Sequence, residues 1–149
     1  MLAVLAPVSG EVIGLGAVPD PAFAEGVVGP GTAIDPTRLP GEAVSPLGGR
    51  IAKLHPHAFV VVGPGGRGVL VHLGIDTVDL RGEGFRLLAA EGDRVRAGQP
   101  IVAWNPAAVV ASGFSPVCPI VALDVGRDRL TRMVDSGRVD KGDEIFQWR

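Results

Sequence analysis

Residues 57–73 read His57-Ala58-Phe59-Val60-Val61-Val62-Gly63-Pro64-Gly65-Gly66-Arg67-Gly68-Val69-Leu70-Val71-His72-Leu73. Two runs rich in β-branched residues flank a break of glycine and proline, a pattern that predicts a β-hairpin. With a four-residue loop Val62 pairs with Arg67, and in that register His57 lies directly opposite His72. Side chains paired in this way have Cβ atoms about 4.5–5.5 Å apart, so the two imidazoles share one small site. His55 stands two residues before His57 and faces the same way if the strand is regular that far back, an extension that Pro56 interrupts.

Outward from this hairpin the same grammar repeats. Turn signals such as Ser9-Gly10, Pro19-Asp20-Pro21, Gly29-Pro30-Gly31, Pro40-Gly41, Gly48-Gly49 and Gly82-Glu83-Gly84 alternate with short Val/Ile/Leu runs. That spacing predicts an all-β fold, an antiparallel β-sandwich or barrel-sandwich hybrid with at most one or two short helices. The helical candidate is 127–134, where Leu130, Met133 and Val134 recur at helical spacing. Two internal pseudo-repeats support a pseudo-symmetric sandwich. Residues 6–15 echo 45–54, and residues 91–104 echo 135–148, with Arg94/Arg138, Val95/Val139, Gly98/Gly142, Ile101/Ile145 and Trp104/Trp148 in register.

The chain has 149 residues, 22 of them glycine and 13 proline, with 46% apolar and 20% charged residues, which suits one turn-rich globular unit spanning 1–149. A net charge of −2 without long like-charge runs argues against a nucleic-acid or anionic-membrane binder. The first residues lack a basic segment and meet Pro7 early, unlike a signal peptide. The uncharged stretch 105–123 contains three prolines and reads as buried strands joined by turns, not as a membrane span. The single cysteine, Cys118, forms no internal disulfide and reads as a buried thiol in a reducing compartment.

A histidine pair has clear chemical uses. With an unperturbed pKa of about 6.5, one ring can be neutral and nucleophilic while its neighbour donates a hydrogen bond. Such a pair can attack phosphorus and compensate the phosphoryl charge, or it can bind zinc.

The segment Val71-His72-Leu73-Gly74-Ile75-Asp76-Thr77-Val78, followed by Gly82-Glu83-Gly84-Phe85, closely resembles the active-site signature of the glucose-type enzyme IIA components of the bacterial sugar phosphotransferase system. The resemblance extends over nearly the whole chain, through 6–11, Val18-Pro19-Asp20, Phe23-Ala24-Glu25, His57-Ala58-Phe59 and Glu91-Gly92 with Val95 and Gly98. It implies a cytoplasmic phosphocarrier, one EIIA type-1 domain on an antiparallel β-sandwich. Such a protein takes a phosphoryl group from the phosphocarrier protein HPr and gives it to a cysteine in the IIB domain of a membrane sugar permease of the glucose, N-acetylglucosamine and β-glucoside class. By position, His72 is implied to be the phosphoryl acceptor and His57 the partner that stabilises and transfers the group. No organic cofactor or metal is implied, Mg²⁺ serving only enzyme I upstream. Phe23, Val27, Val28, Phe59 and Leu70 match the family's apolar docking patch, and Asp20, Asp76 and Asp124 match its acidic groups.

Three departures stand out. His55, before an unusual Pro56, occupies a position where the family usually has threonine. Leu70 replaces a phenylalanine. The first strand begins almost at once, so membrane association through an amphipathic N-terminal tail is not expected. Three other readings compete. A zinc hydrolase would use His55-Pro56-His57 but needs an upstream histidine and aspartate, and no histidine precedes His55. A lipoyl or biotin carrier would need Lys53 or Lys141 in a setting that neither has. A regulatory protein would use the same surface, its phosphorylation state read by other targets.

Overall fold

The computed structural model spans Met1–Arg149. Its strands are β1 (Leu2–Leu5), β2 (Gly10–Val12), β3 (Gly31–Pro36), β4 (Gly41–Val44), β5 (Gly49–His55), β6 (Ala58–Val62) and β7 (Gly68–His72), then β8 (Phe85–Leu87), β9 (Arg94–Val95), β10 (Pro100–Trp104), β11 (Cys118–Ala122), β12 (Leu130–Thr131), β13 (Gly137–Val139) and β14 (Glu144–Trp148). All pairings are antiparallel. One eight-stranded sheet runs β13-β2-β3-β11-β7-β6-β5-β9, and two three-stranded sheets run β1-β14-β12 and β4-β10-β8. The expected all-β antiparallel architecture is what the chain adopts.

The pseudo-repeats are built into this topology. Each half of the large sheet ends in a two-strand edge, β13-β2 or β9-β5, and each small sheet centres on the second strand of a repeat, β14 or β10. The hydrogen bonds match as well. Gly142 N donates to Ala6 O (2.9 Å) as Gly98 N does to Ser45 O (2.8 Å), and Ala6 N donates to Asp143 O (2.7 Å) as Ser45 N does to Gln99 O (2.8 Å). Gly98 and Gly142 turn the chain at φ 84° and 95°, a region that suits glycine. Ile101 and Ile145 follow them fully buried, and Trp104 and Trp148 nearly so.

Between the sheets lies a core of 25 buried residues, including Ile34, Leu47, Ile51, Phe59, Val61, Val69, Val71, Ile101, Ile120 and Phe146. A second cluster of six, Val18, Phe23, Ala33, Ile75, Val117 and Val121, lies apart from it, with Val28 and Leu70 packed against its edge. This smaller cluster supports the site described below.

Two short helices complete the chain, α1 (Pro21–Ala24) and α2 (Pro106–Ala111). Each opens with proline at its first position, where no N–H is needed, under an acceptor side chain: Asp20 Oδ1 takes Ala22 N–H (2.8 Å) and Asn105 Oδ1 takes Ala107 N–H (3.0 Å). The stretch 105–123 therefore holds a helix as well as a strand. No helix forms at 127–134. A single 3₁₀ turn, Arg127–Arg129, leads into β12, where Leu130 pairs with Trp148, and Arg132 at φ 52° stops any continuation. The apolar side chains there pack on the core from an extended backbone, an instance of tertiary pairing overriding helical spacing.

Candidate active site

The β6–β7 hairpin forms as expected, one residue out of the expected register. Val62 pairs with Gly68 and Ala58 with His72, because the connecting loop is the five-residue Gly63–Arg67, closed by Gly63 N–H to Arg67 O (3.0 Å). A shift of one residue exchanges the faces of a strand. Phe59 is therefore fully buried in the large core and is not available for docking, which corrects its assignment to the apolar patch. Val60, directly opposite Leu70, takes its place on the outer face and was missed for the same reason.

His57 reaches His72 by a different route. It is not a ladder residue but the second of the two-residue turn, Pro56-His57, that joins β5 to β6, with His55 paired to Ala58. Its carbonyl accepts Leu73 N–H (2.7 Å), and the turn swings its ring to 5.2 Å from the His72 ring, edge to face at 71°. His55 stacks on the other side of His57, with ring centroids 5.7 Å apart and planes 26° from parallel. The three imidazoles thus form a row, with His55 outermost and exposed.

His72 ends β7, half-buried, against Phe23 of α1 (ring centroids 5.4 Å). Its Nδ1 is 2.5 Å from Gly74 O. A carbonyl accepts only, so Nδ1 carries the proton and Nε2 keeps its lone pair. The backbone after His72 is shaped to present that carbonyl. Gly74 has φ +85°, and a Cβ there would meet Thr77 Cγ2 at 2.5 Å and Ser115 O at 2.9 Å. Thr77 Oγ1, fully buried, donates to Leu73 O (2.8 Å), and Ile75 N–H donates to Ser115 O (2.9 Å). The sequence reading gave Gly74 no role of its own, although a glycine two residues after a candidate nucleophile is the available signal.

Electrostatics keep both rings neutral near pH 7. Burial pushes the His72 pKa below its ordinary value, while the Gly74 carbonyl and the carboxylates of Asp20 and Asp76 pull the other way and limit the fall. His57 is also pushed down, first by burial and then by the neighbouring His72 and His55 charges. Asp20 serves twice, capping α1 and facing the imidazole. Asp124 does not join them. It is exposed, at φ 57°, beyond the end of β11 where Leu123 N–H meets Gly68 O, at the opposite end of β7 from His72. Four residue-to-residue steps of strand separate the two ends, about 13 Å.

Of the remaining patch residues, Val27 is 76% exposed and Val28 is half-buried against the second cluster. Val78, 56% exposed and two residues beyond Asp76, adds an apolar group that sequence reasoning did not single out. Cys118, in β11, is fully buried, and burial pushes its thiol up to about 12, which leaves it unreactive as a nucleophile. No group of three or more histidine, cysteine or carboxylate side chains is arranged to hold a metal ion, and no helix is long and apolar enough to cross a membrane.

Comparison with known proteins bears on this geometry. Residues 2–127 match the family model described as phosphoenolpyruvate-dependent sugar phosphotransferase system, EIIA 1. The chain is 37% identical over 144 residues to the glucose-specific EIIA component of the phosphotransferase system from Staphylococcus aureus strain N315, covering 95% of this chain and 86% of that protein. It is 33% identical over 149 residues to the corresponding component from Oceanobacillus iheyensis, covering 98% and 89%. Among solved structures, glucose permease IIA from Mycoplasma capricolum superposes with a TM-score of 0.89 at 33% identity, over 97% of this chain and 94% of that one.

Proposed function

The chain belongs to the EIIA 1 family of the phosphoenolpyruvate-dependent sugar phosphotransferase system, and within that system we propose that it is a cytoplasmic phosphocarrier acting through His72. The reading rests on one observation above all. His72 is a neutral imidazole with Nδ1 tied to Gly74 O and Nε2 free, beside a second histidine and an apolar surface.

The lone pair of Nε2 attacks the phosphorus of phospho-HPr, the N–P bond to HPr breaks, and the electron pair leaves with the HPr imidazole. As the second N–P bond forms, the His72 ring gains positive charge, which the Gly74 carbonyl and the carboxylates of Asp20 and Asp76 stabilise. His57, its ring 5.2 Å from that of His72, donates a hydrogen bond to a phosphoryl oxygen. That bond matters most in the second transfer, when a IIB cysteine thiolate attacks the phosphorus and the His72 ring leaves. Little covalent assistance is needed, since phosphoryl transfer depends on position and charge compensation. Val27, Val60, Leu70 and Val78 form the apolar centre that docks HPr and the IIB domain in turn. No organic cofactor takes part, and the sugar, of the glucose, N-acetylglucosamine or β-glucoside class, is bound by the permease.

The test is incubation with enzyme I, HPr, Mg²⁺ and labelled phosphoenolpyruvate, followed by mapping of the acid-labile label. His72→Gln is expected to take no label. His57→Gln is expected to take label but pass it to a IIB domain about 100-fold more slowly. Label elsewhere than His72, or undiminished transfer by His57→Gln, overturns the assignment of roles.

A further inference from the structure

At the far end of β5 from His55, the edge of the large sheet carries a feature that phosphoryl transfer at His72 does not use. Arg50 of β5 and Arg94 of β9 are directly opposed across the strands. Like charges in that relation repel, with Cβ atoms about 5 Å apart. Arg96 follows Arg94 by two residues, and both are exposed on either side of the buried Val95. All three line one open groove of about 720 Å³, together with Ala52, Val62 and Pro64. No carboxylate lines it. The two ion pairs of the molecule, Arg38–Asp35 and Arg138–Asp140, involve none of the three. The nearest acidic side chains in sequence are engaged elsewhere: Glu91 Oε1 accepts Leu54 N–H (3.1 Å) and Asp93 Oδ2 accepts Ala90 N–H (2.9 Å).

We propose that this groove binds an oligophosphate. Three arginines lining one groove, none of them in an ion pair, match a ligand bearing several phosphoryl groups better than one bearing a single carboxylate. Each fork can engage a phosphate through two parallel N–H donors. The apolar side chains of Ala52, Val62 and Pro64 in the same lining leave room for a nucleoside on the ligand. Binding relieves the Arg50–Arg94 repulsion, so the ligand also stabilises the sheet edge. The groove is separate from the carboxylate-flanked His72 site, and the proposal stands whether or not His72 carries phosphate.

The probe is sodium tripolyphosphate, titrated calorimetrically at pH 8 and about 0.1 M salt, with ATP and adenosine in parallel arms. Saturable one-to-one binding is expected, weakening as salt rises, with Kd raised about tenfold in Arg50→Gln and in Arg94→Gln and unchanged in His72→Gln. Tighter binding of ATP than of tripolyphosphate makes the ligand a nucleotide, equal or weaker binding makes it a free oligophosphate, and either supports the site. The arginine variants are expected to accept phosphate on His72 at the normal rate, which shows that they are folded. Absence of saturable binding, binding indifferent to both arginine substitutions, or binding lost in His72→Gln overturns the proposal. In that case the arginines serve only to keep a sheet edge from pairing with another chain.

Discussion

On the inner face of the β6–β7 hairpin, Phe59, Val61, Val69 and Val71 are each 0% exposed, whereas on its outer face Val60, Leu70 and His72 are half-buried. The two faces alternate residue by residue along the same ten positions. The inner one is fixed by packing against Ile51, Ile120 and the rest of the large core, where even one methylene is felt. The outer one is closed only in part by α1 and the second cluster, which leaves an apolar margin around a single imidazole. A strand pair held so firmly on one side can carry a polar, partly strained site on the other, because the site does not have to supply the stability of the strands.

Substitution of one residue from each face tests that division. Phe59→Ala is expected to cost about 3–5 kcal/mol of stability through lost burial and the cavity left behind. The protein that remains folded should still accept phosphate at the normal rate. Val60→Ala should do the reverse, with little loss of stability and a raised apparent KM for HPr. Urea midpoints together with HPr titrations read both. A Phe59→Ala protein that is fully stable but weak in docking would return Phe59 to the surface and break the comparison.

A smaller effect is expected at the corner where the outer face ends. Gly74→Ala places a methyl group against Thr77 and Ser115 at φ +85°, at a cost of about 2–4 kcal/mol from left-handed strain and overpacking. Part of the displacement reaches the Gly74 carbonyl, so Nδ1 of His72 loses its fixed proton site and the neutral ring divides between tautomers. The rate of phosphate acceptance should fall about tenfold at a temperature where the variant is folded. Nitrogen chemical shifts of His72 should show Nε2–H appearing in the unphosphorylated protein. An unchanged tautomer with an unchanged rate would mean that the carbonyl does not orient the ring.

The sequence showed the two faces without showing which residue lay on which. Runs of β-branched residues at Phe59–Val62 and Val69–His72 marked a hairpin, and the glycine-rich loop marked its turn. Gly63-Pro64-Gly65-Gly66-Arg67-Gly68 can close over either four or five residues, however, and the choice moves every side chain of β6 to the opposite face relative to β7. All four residues of Phe59–Val62 are apolar, so polarity could not arbitrate. The 91–104 and 135–148 repeats were free of this ambiguity, because each offered an in-register copy of the other with its turn glycine. The histidine pair was found from the wrong ladder. His57 faces His72 from a turn, a position that depends on how Pro56 bends the chain. The two helices were legible only at Asp20-Pro21 and Asn105-Pro106, where a capping side chain precedes a proline, since the segments that follow are too short to show a period.

The subtlest difference between the faces is in their response to acid. The inner face carries no titratable group, while the outer face holds His57 and His72, both pushed below the ordinary histidine value chiefly by burial. Below about pH 6.5 the unfolded chain binds protons that the folded site still refuses. Stability from these two groups is therefore complete above that pH and is lost as pH falls through the lowered folded values. Phosphate acceptance should share this acid limb, since only a neutral Nε2 attacks. Asp76→Asn removes one of the two carboxylates that favour a charged His72 ring, and asparagine tolerates the left-handed φ of 61° at that position. The midpoint of the His72 proton titration, followed by NMR, should shift further down, and the acid limb of acceptance should shift with it. Asp76 is exposed, so the shift should shrink as salt is raised. Acceptance at neutral pH should slow modestly in the variant, because the ring still starts neutral but the positive charge it develops has lost one of its stabilising carboxylates. A midpoint that stayed in place at low salt would mean that Asp76 faces solvent and partners without acting on the imidazole.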